Sequence, residues 1–257
     1  MLFDTHAHLD DVKFKGETDE VIVRANEQGV SLIVNVGYNL RHARQSIALA
    51  EKYDFIYASV GLHPHDAKDG DKSFWEEIYK LARHPKVVAL GEMGLDYYWD
   101  NSPRDVQRDV FRQQIGAAKD LKLPIIIHDR DAHQDVLTIV KEEGALEVGG
   151  VFHAYSGSWE MTKEILDLGF FISIGGPVTF KNAKKILEVV EKVPLESLLI
   201  ETDCPYLTPD PYRGKRNEPG YIKLVAEKIA QIKNISYEEV ASATKENGMR
   251  LFGINPL

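Results

Sequence analysis

The sequence predicts an α/β protein, a (β/α)8 TIM-type barrel with its active site at the C-terminal ends of the strands, and three observations lead there. Short Val- and Ile-rich runs alternate with amphipathic helical patterns along the whole chain. The runs are apolar throughout, as strands covered on both faces of a parallel sheet are, rather than alternating apolar and polar. Histidines and carboxylates stand at the ends of those runs, where the active-site side chains of such a barrel gather.

Taken in order, the expected strands are Leu2 to His6, Leu32 to Val36, Ile56 to Gly61, Val87 to Glu92, Ile125 to His128, Gly150 to His153, Phe170 to Ile174 and Leu198 to Thr202. Between them apolar residues recur at helical spacing, each set making one stripe: Ala43, Ile47 and Ala50; Phe111, Ile115 and Ala118; Met161, Ile165 and Leu168. Ile186, Val189, Val190 and Val193 follow the same rule, and Ile222, Val225, Ala226 and Ile229 repeat it after the last strand. Helix starts are marked by two S-x-x-E capping boxes, Ser73 with Glu76 and Ser236 with Glu239, and by Ser102-Pro103 at N-cap and N1. Gly29 and Gly169 fall where a glycine ends one helix and releases the chain into the next strand. Parallel strands joined by right-handed helical crossovers close into a barrel. A chain of 257 residues, without repeat, low-complexity tract or linker, is expected to be a single domain over residues 1–257.

Composition bounds the function. An apolar fraction of 44% and a charged fraction of 28% are those of a globular protein with a sizeable core. No apolar stretch is long enough for a membrane helix, and no signal-like region precedes the first strand, so a cytoplasmic protein is expected. Cys204 is the only cysteine, which rules out a disulfide within the chain. The formal charge of −9 opposes non-specific binding to nucleic acid. It leaves a nucleic-acid substrate open, because a pair of divalent cations and the basic loop Arg213-Gly214-Lys215-Arg216 would reverse the sign locally. A monomer is expected.

The strand ends supply the chemistry. His6 and His8 lie two apart on the first strand and so project to one face. With Glu92, His128, His153 and Asp203 they offer six side chains of metal-ligand type from five strands. A single catalytic zinc takes about three protein ligands and keeps one position open. The set therefore suits two ions, with Glu92 as the bridging carboxylate. Such a pair, about 3.5 to 4 Å apart, polarises the substrate, lowers the pKa of a water and stabilises the leaving oxygen. Asp203 is suited both to ligate and to accept the water's proton, so Asp203 and Glu92 are the expected catalytic residues. Imidazole-rich sites suit zinc, manganese or iron, whereas magnesium prefers oxygen ligands.

At these residues the chain closely resembles the TatD family of metal-dependent deoxyribonucleases, a branch of the barrel-fold amidohydrolase superfamily. The likeness spans nearly the whole sequence. It rests on Asp4-Thr5-His6-Ala7-His8, Gly61-Leu62-His63-Pro64-His65, Gly91-Glu92-Met93-Gly94-Leu95-Asp96-Tyr97, Leu123-Pro124 with Ile127-His128-Asp129-Arg130, and His153-Ala154-Tyr155-Ser156-Gly157. Further on come Glu201-Thr202-Asp203-Cys204-Pro205-Tyr206-Leu207, Arg213-Gly214 and Asn217-Glu218-Pro219. The resemblance implies one metal site of His6, His8, Glu92 and Asp203, and another of Glu92, His128 and His153. It also implies magnesium-dependent degradation of DNA from the 3′ end, with single-stranded ends as substrate and with His63, Arg130 and Arg213 as phosphate or base contacts. Relatives described as removing D-amino acids from tRNA leave an ester or amide hydrolase of the same superfamily as the alternative. A barrel that binds metal without catalysing is disfavoured by the complete ligand set.

Other residues have simpler readings. His65, His84 and His133 are expected at the surface, Lys181, Lys184 and Lys185 on a solvated helix face, and Cys204 as a small buried residue rather than a nucleophile. The loops from Asp96 to Ser102 and from Tyr206 to Asn217 are expected to wall a pocket. Asn217 suits an N-cap ahead of Pro219.

Overall fold

The computed structural model describes residues 1–255. Among them, eight parallel strands form one sheet in chain order: β1 (Leu2–Ala7), β2 (Val30–Gly37), β3 (Ile56–Val60), β4 (Val87–Asp96), β5 (Ile125–Arg130), β6 (Gly150–Phe152), β7 (Phe171–Ile174) and β8 (Leu198–Ile200). Ala7 of β1 bridges in parallel to Cys204, just beyond β8. The intervening helices are α1 (Thr18–Glu27), α2 (Leu40–Lys52), α3 (Lys72–Leu81), α4 (Arg104–Leu121), α5 (His133–Glu142), α6 (Trp159–Asp167) and α7 (Lys184–Lys192), with α8 (Ile222–Lys233) and α9 (Tyr237–Phe252) following β8. This is the (β/α)8 fold expected from the alternation. β1, β4, β6 and β8 are buried along their whole length, which is why they read as unbroken apolar runs.

The backbone groups into two compact units. One comprises Met1–Asn35, Ala154–Asp167 and the chain from Phe171 onward; the other comprises Val36–His153 and Leu168–Phe170. In the first, α9 lies against β1, where the Phe3 and Phe252 rings pack at a tilt of 59° with centroids 6.0 Å apart. In the second, β4 and β5 pair in register from Met93↔Ile127 to Asp96↔Arg130.

Two expected caps shift. α3 is capped by Asp71, whose Oδ1 accepts from Phe74 N at 2.9 Å, while the Ser73 hydroxyl donates to the same carboxylate at 2.7 Å. The helix begins two residues earlier than the serine box implies, so Asp71 meets the free N–H groups of the first turn and Ser73 lies inside it. At α4 the N-cap is Pro103, and Ser102 instead donates its hydroxyl to His65 O at 2.8 Å. The Ser236–Glu239 box at α9 forms in both directions, and Gly29 and Gly169 turn the chain with φ of 89° and 77°. No helix among the described residues is long and apolar enough to cross a membrane.

Candidate metal centre

The expected ligands gather into two clusters, one in each unit. In the first, β1 carries His6 and its continuation carries His8, so the i, i+2 spacing brings the two Nε2 atoms to 3.2 Å from each other. Asp203 Oδ1 lies 3.3 Å from His8 Nε2 and 3.7 Å from His6 Nε2. The backbone fixes this approach: Asp203 N donates to His6 O at 2.9 Å, and His8 N donates to Cys204 O at 2.8 Å. Asp203 adopts φ of 54°, in the left-handed region that Asp enters more readily than most residues. The turn is held from below by the buried Asp4 carboxylate, which accepts from Thr202 N at 2.9 Å and from the Thr202 hydroxyl at 2.6 Å. Burial pushes Asp4 up to about 7, against the lowering effect of the Thr202 bonds. Asn217 ties the same turn from outside, donating to Thr202 O at 2.8 Å and Tyr206 O at 2.7 Å. The short 3-10 helix Pro219–Tyr221 is capped by Glu218 instead of Asn217.

The second cluster centres on Glu92. Its Oε1 lies 2.8 Å from His128 Nδ1, 2.9 Å from His153 Nε2 and 3.4 Å from His63 Nε2. β4 reaches this arrangement through an irregularity between Leu90 and Met93, where its register against β5 slips. An inserted residue of that kind re-aims a side chain. Gly94, directly opposite His128, has φ of 140°, and a Cβ there would stand 2.0 Å from His128 O. Only glycine fits so close an approach of two strands.

Beneath these ligands lies a layer that the apolar-run pattern does not reveal. Asp96, 1% exposed, accepts at Oδ2 from His128 Nε2 at 3.1 Å and from His65 Nε2 at 2.9 Å. His65, expected at the surface, is thus part of the site's support. Two buried glutamines of α4 hold the strand ends: Gln107 Oε1 accepts from Asp96 N at 2.8 Å, and Gln114 bonds both Leu62 N and Leu62 O, at 2.8 and 2.9 Å. Their signal was present in the sequence, because Gln107 and Gln114 fall on the apolar stripe of Val110 and Phe111. Glu201, also buried, accepts from Ala154 N at 2.6 Å; the sequence marks it only as the first residue of the Glu201–Leu207 motif, with no role of its own.

The charge states follow from these contacts. For Glu92, burial works to raise the carboxyl, but the His153 and His63 imidazoles and the bonds from His128 and His153 hold it well below the usual range. Asp96 is likewise raised by burial and lowered more by bonds from His128, His65 and Trp99 N, so it stays ionised. Burial lowers His63 to about 4, and it stays neutral at neutral pH. Burial also works to lower His128, yet its bonds to Asp96 and Glu92 win and raise it. Imidazole nitrogens and carboxylate oxygens converging at such distances are a donor set for a divalent cation of intermediate softness. Each cluster fits one: His6, His8 and Asp203 in the first, and His63, Glu92 and His128, joined by His153, in the second.

The remaining expected residues are less concentrated. His63 belongs to the second cluster and also caps the 3-10 turn Pro64–Asp69 through Nδ1, which accepts from His65 N at 3.1 Å. Arg130 ends β5, exposed, with its guanidinium 4.3 Å from the Tyr98 ring. Arg213 is exposed over Phe180 at 4.0 Å. His84 and His133 lie toward the surface, paired with Glu51 and Asp129. Lys181, Lys184 and Lys185 are exposed, and Cys204 is buried with its thiol pushed far up by that burial.

Comparison with known proteins agrees with this geometry. The family profile described as TatD related DNase matches residues 3–253. An uncharacterized metal-dependent hydrolase of Bacillus subtilis, YabD, is 55% identical over 99% of this chain and 100% of its own. A Klebsiella pneumoniae protein named 3′-5′ ssDNA/RNA exonuclease TatD is 35% identical over 99% of this chain and 98% of its own. The crystal structure of YJJV, a TatD homolog from Escherichia coli, superposes with a TM-score of 0.93 at 32% identity, covering 99% of this chain and 98% of that one. With its eight parallel strands and its clustered imidazole and carboxylate donors, this chain belongs to the TatD family of metal-dependent hydrolases.

Proposed function

We propose that this chain is a phosphodiesterase that shortens single-stranded DNA from its 3′ end, using two divalent cations, magnesium, manganese or zinc, one at each cluster. The observation that carries this reading is the pair of separate donor sets, His6–His8–Asp203 and Glu92–His128–His153, each with its own carboxylate. The name of the Klebsiella pneumoniae relative supports the choice of bond. The ions would neutralise phosphate charge and lower the pKa of water, which is the chemistry that hydrolysis of a phosphodiester most needs. The side chains do the rest. Asp203, the less buried of the two carboxylates at 14% side-chain exposure, is suited to take a proton from the attacking water. Glu92, held ionised among imidazoles, keeps its cluster's charge balanced. Arg130 and Arg213, both exposed, are suited to grip phosphate oxygens in bidentate fashion, and neutral His63, whose Nδ1 accepts from His65 N, has only its Nε2–H to offer as a donor.

The test is the fate of 5′-labelled single-stranded DNA after chelation and re-addition of each metal. A ladder growing from the 3′ end, absent in Asp203→Ala, supports the reading. Intact DNA beside hydrolysis of an aminoacyl or other simple ester would replace it with an ester or amide hydrolase.

A further inference from the structure

The loop that follows β4 exposes two large aromatic side chains: Tyr98 at 57% and Trp99 at 56% of their surface. Most exposed apolar residues on a soluble protein stand singly and require no explanation, but adjacent exposed rings beside a hydrolytic site do. The rings meet edge to face, centroids 5.0 Å apart at 89°, and the Arg130 guanidinium lies 4.3 Å from the Tyr98 centroid and 5.8 Å from that of Trp99. Among the described residues that guanidinium has no carboxylate partner, so its charge is available to a ligand.

The cluster is held in place. Asp96 Oδ1 accepts from Tyr98 N at 3.1 Å and Trp99 N at 3.0 Å, while Oδ2 of the same carboxylate accepts from His128 Nε2 at 3.1 Å. Arg104 adds a bond to Tyr97 O at 3.2 Å and pairs with Asp100 at 2.8 Å. One buried carboxylate therefore ties the backbone under both rings to a ring of the Glu92 cluster, and fixes the distance between them.

We infer that Tyr98, Trp99 and Arg130 form a subsite that stacks one nucleobase of a single-stranded nucleic acid whose neighbouring phosphate is presented to the Glu92 cluster. This rests on the phosphodiesterase reading and deepens it. Aromatic faces beside a guanidinium are the usual means of holding an unpaired strand, because every base has a face to stack while arginine supplies both cation–π contact and a phosphate anchor. A chain with net charge −9 has little general attraction for a polyanion, so local contacts of this kind must supply the affinity. Aromatic and arginine residues also mark protein interfaces. The hydrogen-bonded link through Asp96 to His128, a candidate metal ligand, favours the substrate over a protein partner.

The experiment uses the full-length, metal-loaded protein and single-stranded oligonucleotides carrying one abasic residue at successive positions from the 3′ end. For wild type, one abasic position is expected to raise KM roughly tenfold, with kcat changed much less. Trp99→Ala is expected to raise KM for intact DNA by a similar factor and to make that abasic position no longer matter, the non-additivity expected of two halves of one contact. Trp99→Phe should restore most of the loss. Thermal unfolding of each variant excludes a folding defect, which the exposure of Trp99 makes small. DNA degradation by wild type together with unchanged KM in Trp99→Ala, or equal sensitivity to every abasic position, overturns the subsite alone. Wild-type protein that leaves DNA intact with each metal overturns the phosphodiesterase reading and the subsite with it.

Discussion

Asp96 Oδ2 lies 3.1 Å from Nε2 of His128, on the adjacent strand, while the other nitrogen of the same ring, Nδ1, lies 2.8 Å from Glu92. The carboxylate fixes the tautomer and the orientation of the imidazole, so that Nδ1 faces the candidate ion. A ligating histidine with its second nitrogen on a carboxylate is a better metal donor than one facing solvent.

Asp96→Asn tests this directly. The substitution keeps the shape and an oxygen to accept from Tyr98 and Trp99, but presents an uncharged amide to His128 and His65. Metal affinity at the Glu92 cluster is expected to fall about 10- to 100-fold. Competition with a chelator of known affinity measures it, and an unchanged constant would remove Asp96 from the site's support.

Glu92→Gln removes the carboxylate on which three imidazoles converge. Hydrolysis is expected to drop more than about 100-fold, beyond the range of supporting residues. The metal-free variant should still fold, because the neighbouring imidazoles can hydrogen-bond the amide. Steady-state rates and thermal unfolding together separate loss of chemistry from loss of structure.

Gly94→Ala places a methyl group against His128 O, a backbone atom that cannot turn aside. The expected result is destabilisation above about 4 kcal/mol, in the range reserved for backbone clashes and similar mechanisms, together with loss of the Glu92 cluster's metal. Urea unfolding checks it; a folded variant of near wild-type stability would mean that β4 and β5 are further apart than found.

His63 makes the metal-free protein sensitive to acid. Its folded pKa, lowered from 6.5 to about 4 chiefly by burial, means that the unfolded chain takes up a proton below pH 6.5 that the folded chain refuses until near pH 4. Stability contributed by neutral His63 is therefore present above pH 6.5 and lost as pH falls toward 4, by on the order of 3 kcal/mol. In chelator, His63→Gln should lose less stability than wild type between pH 7 and pH 4.5. Parallel curves for the two proteins would contradict the assignment.

The fold was legible because buried parallel strands leave unbroken Val- and Ile-rich runs and their helices leave stripes; all eight runs became strands, with ends differing by a few residues. The ligand types were legible for the same reason, each standing where a run stops. What supports them was not. Glu92 breaks the β4 run in the sequence, yet the strand continues through Met93, Gly94 and Leu95 to Asp96, so the hold of Asp96 on His65 and His128 comes from strand pairing beyond the point where the first apolar stretch stops. His65 lies beyond the end of its strand, in a short turn, and only its contact with Asp96, far along the chain, makes it part of the site. Asp71 and Ser73 are both N-cap residue types two positions apart, and the local sequence does not fix at which of them the helix starts.

On the proposed mechanism, hydrolysis depends on cations held at both clusters. The most direct measurement is bound metal per chain, determined by elemental analysis, alongside the rate of DNA shortening in the same samples as metal is restored to chelated protein. Activity should be absent in the chelated protein and return as the content approaches two ions per chain, with Asp203→Ala and Glu92→Gln each binding fewer ions and remaining inactive. Shortening of DNA by fully chelated protein, or wild-type rates in either variant, would contradict it.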